Sequence, residues 1–68
     1  MSLTTNPLTQ RESEVLRESL DGATVQLIAR RLHLSPGTVR NYLSSAIGKT
    51  GTATRVEAAK LAEDRGWL

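Results

Sequence analysis

Leu34-Ser35-Pro36-Gly37-Thr38-Val39-Arg40-Asn41-Tyr42-Leu43-Ser44-Ser45-Ala46-Ile47-Gly48-Lys49 is the stretch on which the reading of this chain turns. Ser35 has the side chain of a helix N-cap, a hydroxyl able to accept from an otherwise unpaired amide of the first turn. Pro36 follows at the first helical position, where its missing N–H costs nothing. Val39, Leu43, Ala46 and Ile47 then fall at i, i+4, i+7 and i+8, a single apolar stripe. The opposite stripe is Gly37, Arg40, Asn41, Ser44 and Gly48. A solvated helix face ordinarily carries long charged side chains. This one has three tiny residues, one Arg, one Asn and no acid. Small residues let a helix backbone sit deep in a narrow space, and Arg and Asn carry donor forks that match guanine and adenine edges in the major groove. The stretch reads as a recognition helix.

Composition bounds the rest. Sixty-eight residues make one small domain near the lower limit for independent folding. With no cysteine, neither disulfides nor Cys-ligated zinc can staple it. Phe is absent, and Tyr42 and Trp67 are the only aromatics, so the core must come from Leu, Ile, Val and Ala, which suits packed helices. No apolar run approaches membrane-spanning length and no signal-peptide pattern opens the chain, so a cytoplasmic protein without a membrane partner is expected. Met1-Ser2-Leu3 has the look of a cloning remnant and is set aside. Residues 1–7 are expected to form a disordered leader and residues 8–68 the domain.

The net charge of +2 hides an uneven distribution. Residues 22–56 carry Arg30, Arg31, Arg40, Lys49 and Arg55 with no Asp or Glu, whereas both flanking segments are mildly acidic. One face meeting a polyanion would produce this pattern. A basic surface with no partner would produce it too, and charge alone leaves both readings open.

Helix signals flank the central stretch. Thr9-Gln10-Arg11-Glu12 is a capping box, with Val15, Leu16 and Leu20 as the buried side of the helix it opens and Gly22 as its left-handed stop. Glu12, Glu14 and Glu18 lack any nearby His, nucleophile or metal cluster, so they read as a solvated acidic face rather than catalytic carboxylates. Thr24 starts a second helix with Val25, Ile28, Ala29 and Leu32 on its apolar stripe. The short connection through His33, a turn residue rather than a ligand, leads into the recognition helix. Two short helices joined in this way are a helix-turn-helix. Gly51 caps the third helix, and Thr54-Arg55-Val56-Glu57 is a second capping box, opening a helix whose buried stripe is Ala58, Leu61 and Ala62. Gly66 ends it, and Trp67 falls where a Schellman motif sets a hydrophobic residue against the preceding turn. The expected fold is all-α, a compact set of four helices over about 9–21, 24–33, 35–50 and 54–65.

Leu8-Thr9-Gln10-Arg11-Glu12, Ile28-Ala29-Arg30-Arg31-Leu32, Ser35 to Leu43 and Arg55-Val56-Glu57-Ala58 occur in that order. Together they resemble the LuxR-type helix-turn-helix, the output domain of NarL/FixJ response regulators, over nearly the whole chain. The run Thr38-Val39-Arg40-Asn41-Tyr42-Leu43 is most similar to the branch that includes DesR-type regulators. The resemblance implies a bacterial transcription regulator that binds double-stranded DNA as a dimer, needs no cofactor, and is joined in the full protein to a receiver or sensor domain. It implies base contacts from Arg40, Asn41 and Ser44. Backbone contacts are implied for Thr24, Gln26, Ser35, Thr38, Tyr42 and Lys49. The family's last helix usually carries the dimer contact, and the assumed buried stripe leaves Val56, Ala59, Lys60 and Glu63 on the outside to make it, weakly in the absence of DNA. Three departures from the family pattern stand out. Leu27 replaces the usual Glu of the second helix, so no capping box forms there. Val25 and Gln26 replace a more polar pair, and Tyr42 stands where many members have His.

Two other classes of function compete with DNA binding. A protein-interaction adaptor would present large hydrophobic anchors on the basic face, and Gly37, Ser44 and Gly48 argue against it. An enzyme would need a nucleophile, base and orienter, or a set of metal ligands, and no such set is present in the sequence.

Overall fold

The computed structural model describes residues 5–68, so most of the expected leader lies outside the described residues. Of its last residues, Asn6 is held in place: its Oδ1 accepts from the Leu8 amide at 2.9 Å. Four helices follow: α1 (Gln10–Leu20), α2 (Val25–Leu32), α3 (Pro36–Thr50) and α4 (Arg55–Asp64). Each begins at a hydroxyl cap, with Thr9, Thr24, Ser35 and Thr54 accepting from the amides of Glu12, Leu27, Thr38 and Glu57. The Thr9–Glu12 box is reciprocal. At Thr24 only the hydroxyl half forms, as Leu27 dictates. The second expected box is also half-formed: the Glu57 carboxylate accepts from the Thr54 hydroxyl at 3.2 Å instead of from its amide.

Left-handed residues stop the helices. Gly51 closes α3 at φ 69°. His33 does the same for α2 at φ 58° and ψ 43°, a conformation that a residue with a Cβ adopts at a cost. It is held there because the Leu34 amide reaches back to the Ala29 carbonyl at 2.8 Å, which fixes the tight corner between α2 and α3. After α4, the Trp67 amide bonds the Ala62 carbonyl at 2.8 Å, and the half-buried Trp67 ring packs on the core as a lid.

The core consists of Leu8, Val15, Leu16, Ala23, Ile28, Ala29, Val39, Leu43, Ala46, Ala58, Ala59 and Ala62. Half of these are alanines, so the helices approach closely; α1 lies against both α3 and α4, and α2 against α3. Two expected stripes are corrected. On α4 the inward face is Ala58, Ala59 and Ala62, while Leu61 is only half-buried. Turning the smallest side chains inward lets α4 pack closer than a stripe containing Leu61 would. Ala59 is therefore fully buried within the domain and does not lie on an exposed contact face. On α1, Leu20 is 36 % exposed, and Ser19 is buried in its place, its hydroxyl donating to the Val15 carbonyl.

The rotation of α1 has a cause, and it is the third correction. Glu12 is 4 % exposed and does not belong to a solvated acidic face. Its Oε1 accepts from the Thr9 amide at 2.8 Å and from Lys49 Nζ at 2.8 Å, and its Oε2 accepts from Ser45 Oγ at 2.5 Å. With Glu12 facing α3, the inward arc of α1 runs through Glu12, Val15, Leu16 and Ser19, and Leu20 falls about 90° from its centre. Burial by itself raises the Glu12 pKa, but the bonds from Lys49, Ser45 and Thr9 outweigh it and lower the value from an ordinary 4.5 to about 2.

A pKa below the unfolded value means that the clamp stabilises fully above about pH 4.5 and loses its effect as pH falls toward 2. Because Lys49 is partly exposed, its contribution is discounted to about 2 kcal/mol. Glu12→Gln should lower the free energy of urea unfolding at pH 7 by about that amount and flatten its decline between pH 4.5 and 2. An acid limb as steep as that of the wild type would assign the pH dependence to other carboxylates.

Candidate nucleic-acid interface

The polar side chains of α3 divide into two sets. One set is spent inside the domain. Ser35 Oγ accepts from the Thr38 amide at 3.1 Å and shares a hydrogen bond with Thr38 Oγ1 at 2.9 Å. Ser45 and Lys49 are bound to Glu12, and Thr50 Oγ1 donates to the Ala46 carbonyl at 2.9 Å. The other set is Arg40, Asn41 and Ser44, which are exposed and make no side-chain hydrogen bond among the described residues. Gly37 and Gly48 are exposed on the same face. These residues share one exposed face of α3 that is free of acids and carries three polar groups with no side-chain partner among the described residues.

Around it, Thr24 and Gln26 are exposed at the start of α2. Tyr42 is half-buried against the core, and its hydroxyl is not among the buried unpartnered atoms. Neither α2 nor α3 has an acid in its first turn, whereas α1 has Glu12 and α4 has Glu57. The two helices of the motif thus leave the positive ends of their dipoles uncompensated.

The basic middle of the sequence is less basic in three dimensions. Lys49 is drawn to Glu12, and Arg31 forms a 2.6 Å pair with Glu18, so α1 neutralises two of the five cations. Arg55 is half-buried with its Nη1 out of solvent and unpartnered. Among the described residues, Arg30 and Arg40 are the cations of this segment that stay exposed and unpaired. Lys49, expected at a phosphate, is in the first place an internal strut, and any phosphate would share its ammonium with the Glu12 carboxylate. The sequence reading missed Glu12 and Ser45 as partners of Lys49. The only hint was an acid in a capping box, and a capping box explains that acid without any tertiary contact.

On α4, Val56 is 48 % exposed, and Lys60 and Glu63 are exposed with no ion-pair partner among the described residues. Ala59, grouped with them from the sequence, is buried beneath them. No helix among the described residues is long and apolar enough to cross a membrane.

A short α2, a tight left-handed corner and a longer α3 with a bare polar face define a helix-turn-helix DNA-binding domain. Comparison with known proteins gives its family. A family model described as bacterial regulatory proteins, luxR family, matches residues 6–62, and the chain belongs to that family. It is 51 % identical over 63 residues to the uncharacterized transcriptional regulatory protein YvfU of Bacillus subtilis, covering 93 % of this chain and 32 % of that protein. It is 49 % identical over 61 residues to the response regulator RamR of Streptomyces coelicolor, covering 90 % and 30 %. With the transcriptional regulatory protein DesR of Bacillus subtilis it shares 44 % identity over 63 residues, covering 93 % and 32 %. The chain spans about a third of the length of these relatives.

The two sets of polar residues should separate in stability measurements. Lys49→Met leaves the buried Glu12 carboxylate without its counter-charge and should cost about 2 kcal/mol in urea unfolding. Arg40→Ala touches nothing inside the domain and should stay within about 0.5 kcal/mol of wild type. Equal stability of the two variants would contradict the division.

Proposed function

We propose that this chain is the DNA-reading module of a bacterial response regulator and that it places α3 in the major groove of its operator. The observation that carries the reading is the set of unspent side chains, Arg40, Asn41 and Ser44, on the solvent face of α3, a helix with no acid. Arg40 suits a guanine edge and Asn41 an adenine edge, with Ser44 one turn on as a donor or acceptor to either. Thr24, Gln26 and Tyr42 border that face and fix register through phosphates; the Ser35–Thr38 hydroxyl pair, which caps α3, keeps one proton to donate to another phosphate, and the acid-free helix starts add favourable dipoles. Lys49 contributes mainly by holding α3 to α1. The domain carries out binding and not catalysis, in keeping with a family of regulatory proteins. The relatives named response regulator and transcriptional regulatory protein are about three times as long as this chain, which supports a receiver or sensor domain in the full protein. Binding to bacterial DNA would place its action in the cytoplasm.

The reading includes a homodimer. Val56, Lys60 and Glu63 are exposed on the outer side of α4, where Lys60 of one copy would pair with Glu63 of the other across a two-fold axis. The contact is small, so the free domain is mostly monomeric and two operator half-sites supply the effective concentration for pairing.

A titration against duplexes selected from a random pool tests both parts. For the wild-type chain, log K should fall linearly with log salt. Arg40→Ala should cost about 1–3 kcal/mol on the selected duplex and relax discrimination at one base pair. Affinity that ignores salt, or an Arg40→Ala variant with unaltered base preference, would overturn the groove reading. Val56→Glu should abolish cooperativity between two half-sites and leave affinity for one half-site unchanged. Cooperativity that survives in this variant would move the dimer contact away from α4.

A further inference from the structure

Gly48 weakens its helix and has no offsetting contact inside the domain. It lies within α3, which runs on to Thr50 and is closed by Gly51, so Gly48 is not needed to end the helix. A Cβ added to it would meet nothing within 4 Å. After proline, glycine is the least favourable residue in a helix interior. Nothing in the surrounding fold calls for a glycine at this position.

Its position gives the direction. Gly48 is exposed, one turn beyond Ser44 and two beyond Arg40, on the face that carries the unspent polar groups. Eight residues of helix span roughly 12 Å, about the width of the major groove of B-DNA. A helix with Arg40 at the base edges therefore brings Gly48 to the sugar–phosphate wall. The neighbouring Lys49 is drawn toward α1 by Glu12, so its long side chain is held to that side.

We propose that Gly48 is a positioning residue for DNA binding. Its missing side chain lets the C-terminal part of α3 seat directly against the sugar–phosphate backbone, and that seating sets the depth at which Arg40, Asn41 and Ser44 meet the bases. The inference rests on α3 being the groove helix. Lifting α3 by one side chain at Gly48 tilts the helix in the groove and withdraws the readers at its other end.

The test is a pair of variants, Gly48→Ala and Gly48→Leu, titrated against the duplex selected by the wild-type chain and against a scrambled duplex, with Arg40→Ala as reference. Both Gly48 variants should melt higher, by about 4 °C. Affinity for the selected duplex should fall by about threefold for Ala and about thirtyfold for Leu, with a smaller preference over the scrambled duplex. A Leu variant that melts higher and binds as tightly as wild type, or tighter, would overturn the proposal. Gly48 variants that melt lower would also overturn it, because the glycine would then serve the fold. Arg40→Ala separates the two levels. If it loses base discrimination while Gly48→Leu changes nothing, α3 still reads DNA and only the role of Gly48 fails. If neither variant alters binding, both readings fail.

Discussion

The carboxylate of Glu12 is the constraint on which the arrangement of this domain depends. It sits at the N3 position of α1, where it completes the cap, and it also takes Lys49 and Ser45 from the last turns of α3. One buried charge thus fixes both the start of the first helix and the position of the reading helix relative to it. A buried carboxylate is tolerable only when its oxygens are fully bonded, and here each oxygen has a donor. The same requirement makes the geometry specific. Sliding or rotating α3 against α1 would strand the charge, whereas a purely apolar contact between alanine-rich faces would resist such a shift much less.

This clamp, together with the Arg31–Glu18 pair, changes how the domain's charge should be understood. The acids of α1 lie against the basic middle of the chain and neutralise part of it. What remains toward solvent on the reading helix is one guanidinium, an amide and a hydroxyl, with uncompensated helix starts nearby. On the proposed reading, such a surface would attract phosphate only modestly and would depend on base edges and fit for the rest.

Small residues have two different uses in this chain. The alanines at 23, 29, 46, 58, 59 and 62 lie inside, where they let short helices pack closely enough to exclude water with few large side chains. The glycines at 37 and 48 lie outside on the face of α3, where no neighbour in the fold requires them. The turn at His33 is also adapted to the motif: a residue with a Cβ is held left-handed so that α2 can pass into α3 within three residues. Strain there is stabilised by the Leu34–Ala29 bond and by the packing of Leu32 and Leu34 on either side.

The four helices were legible in the chain because caps and stops are local: Thr9, Thr24, Ser35 and Thr54 each bond an amide three residues away, whatever the rest of the protein does. The outer face of α3 was legible for a similar reason, since helical period alone puts Arg40, Asn41 and Ser44 opposite the apolar stripe. Which side of α1 and α4 turns inward was not legible at that level. Period alone allowed Leu20 and Leu61 as core residues; the Glu12 clamp to α3 turned Ser19 inward on α1, and the close approach of α4 to its neighbours selected Ala59. The partner of Lys49 was equally out of reach, because Glu12 lies 37 residues away and its local cap already accounted for it. Local hydrogen bonding and periodicity therefore determined the elements and the reading face. Rotation about each helix axis, and the pairing of charges between helices, were decided only when four short helices had to share one small core.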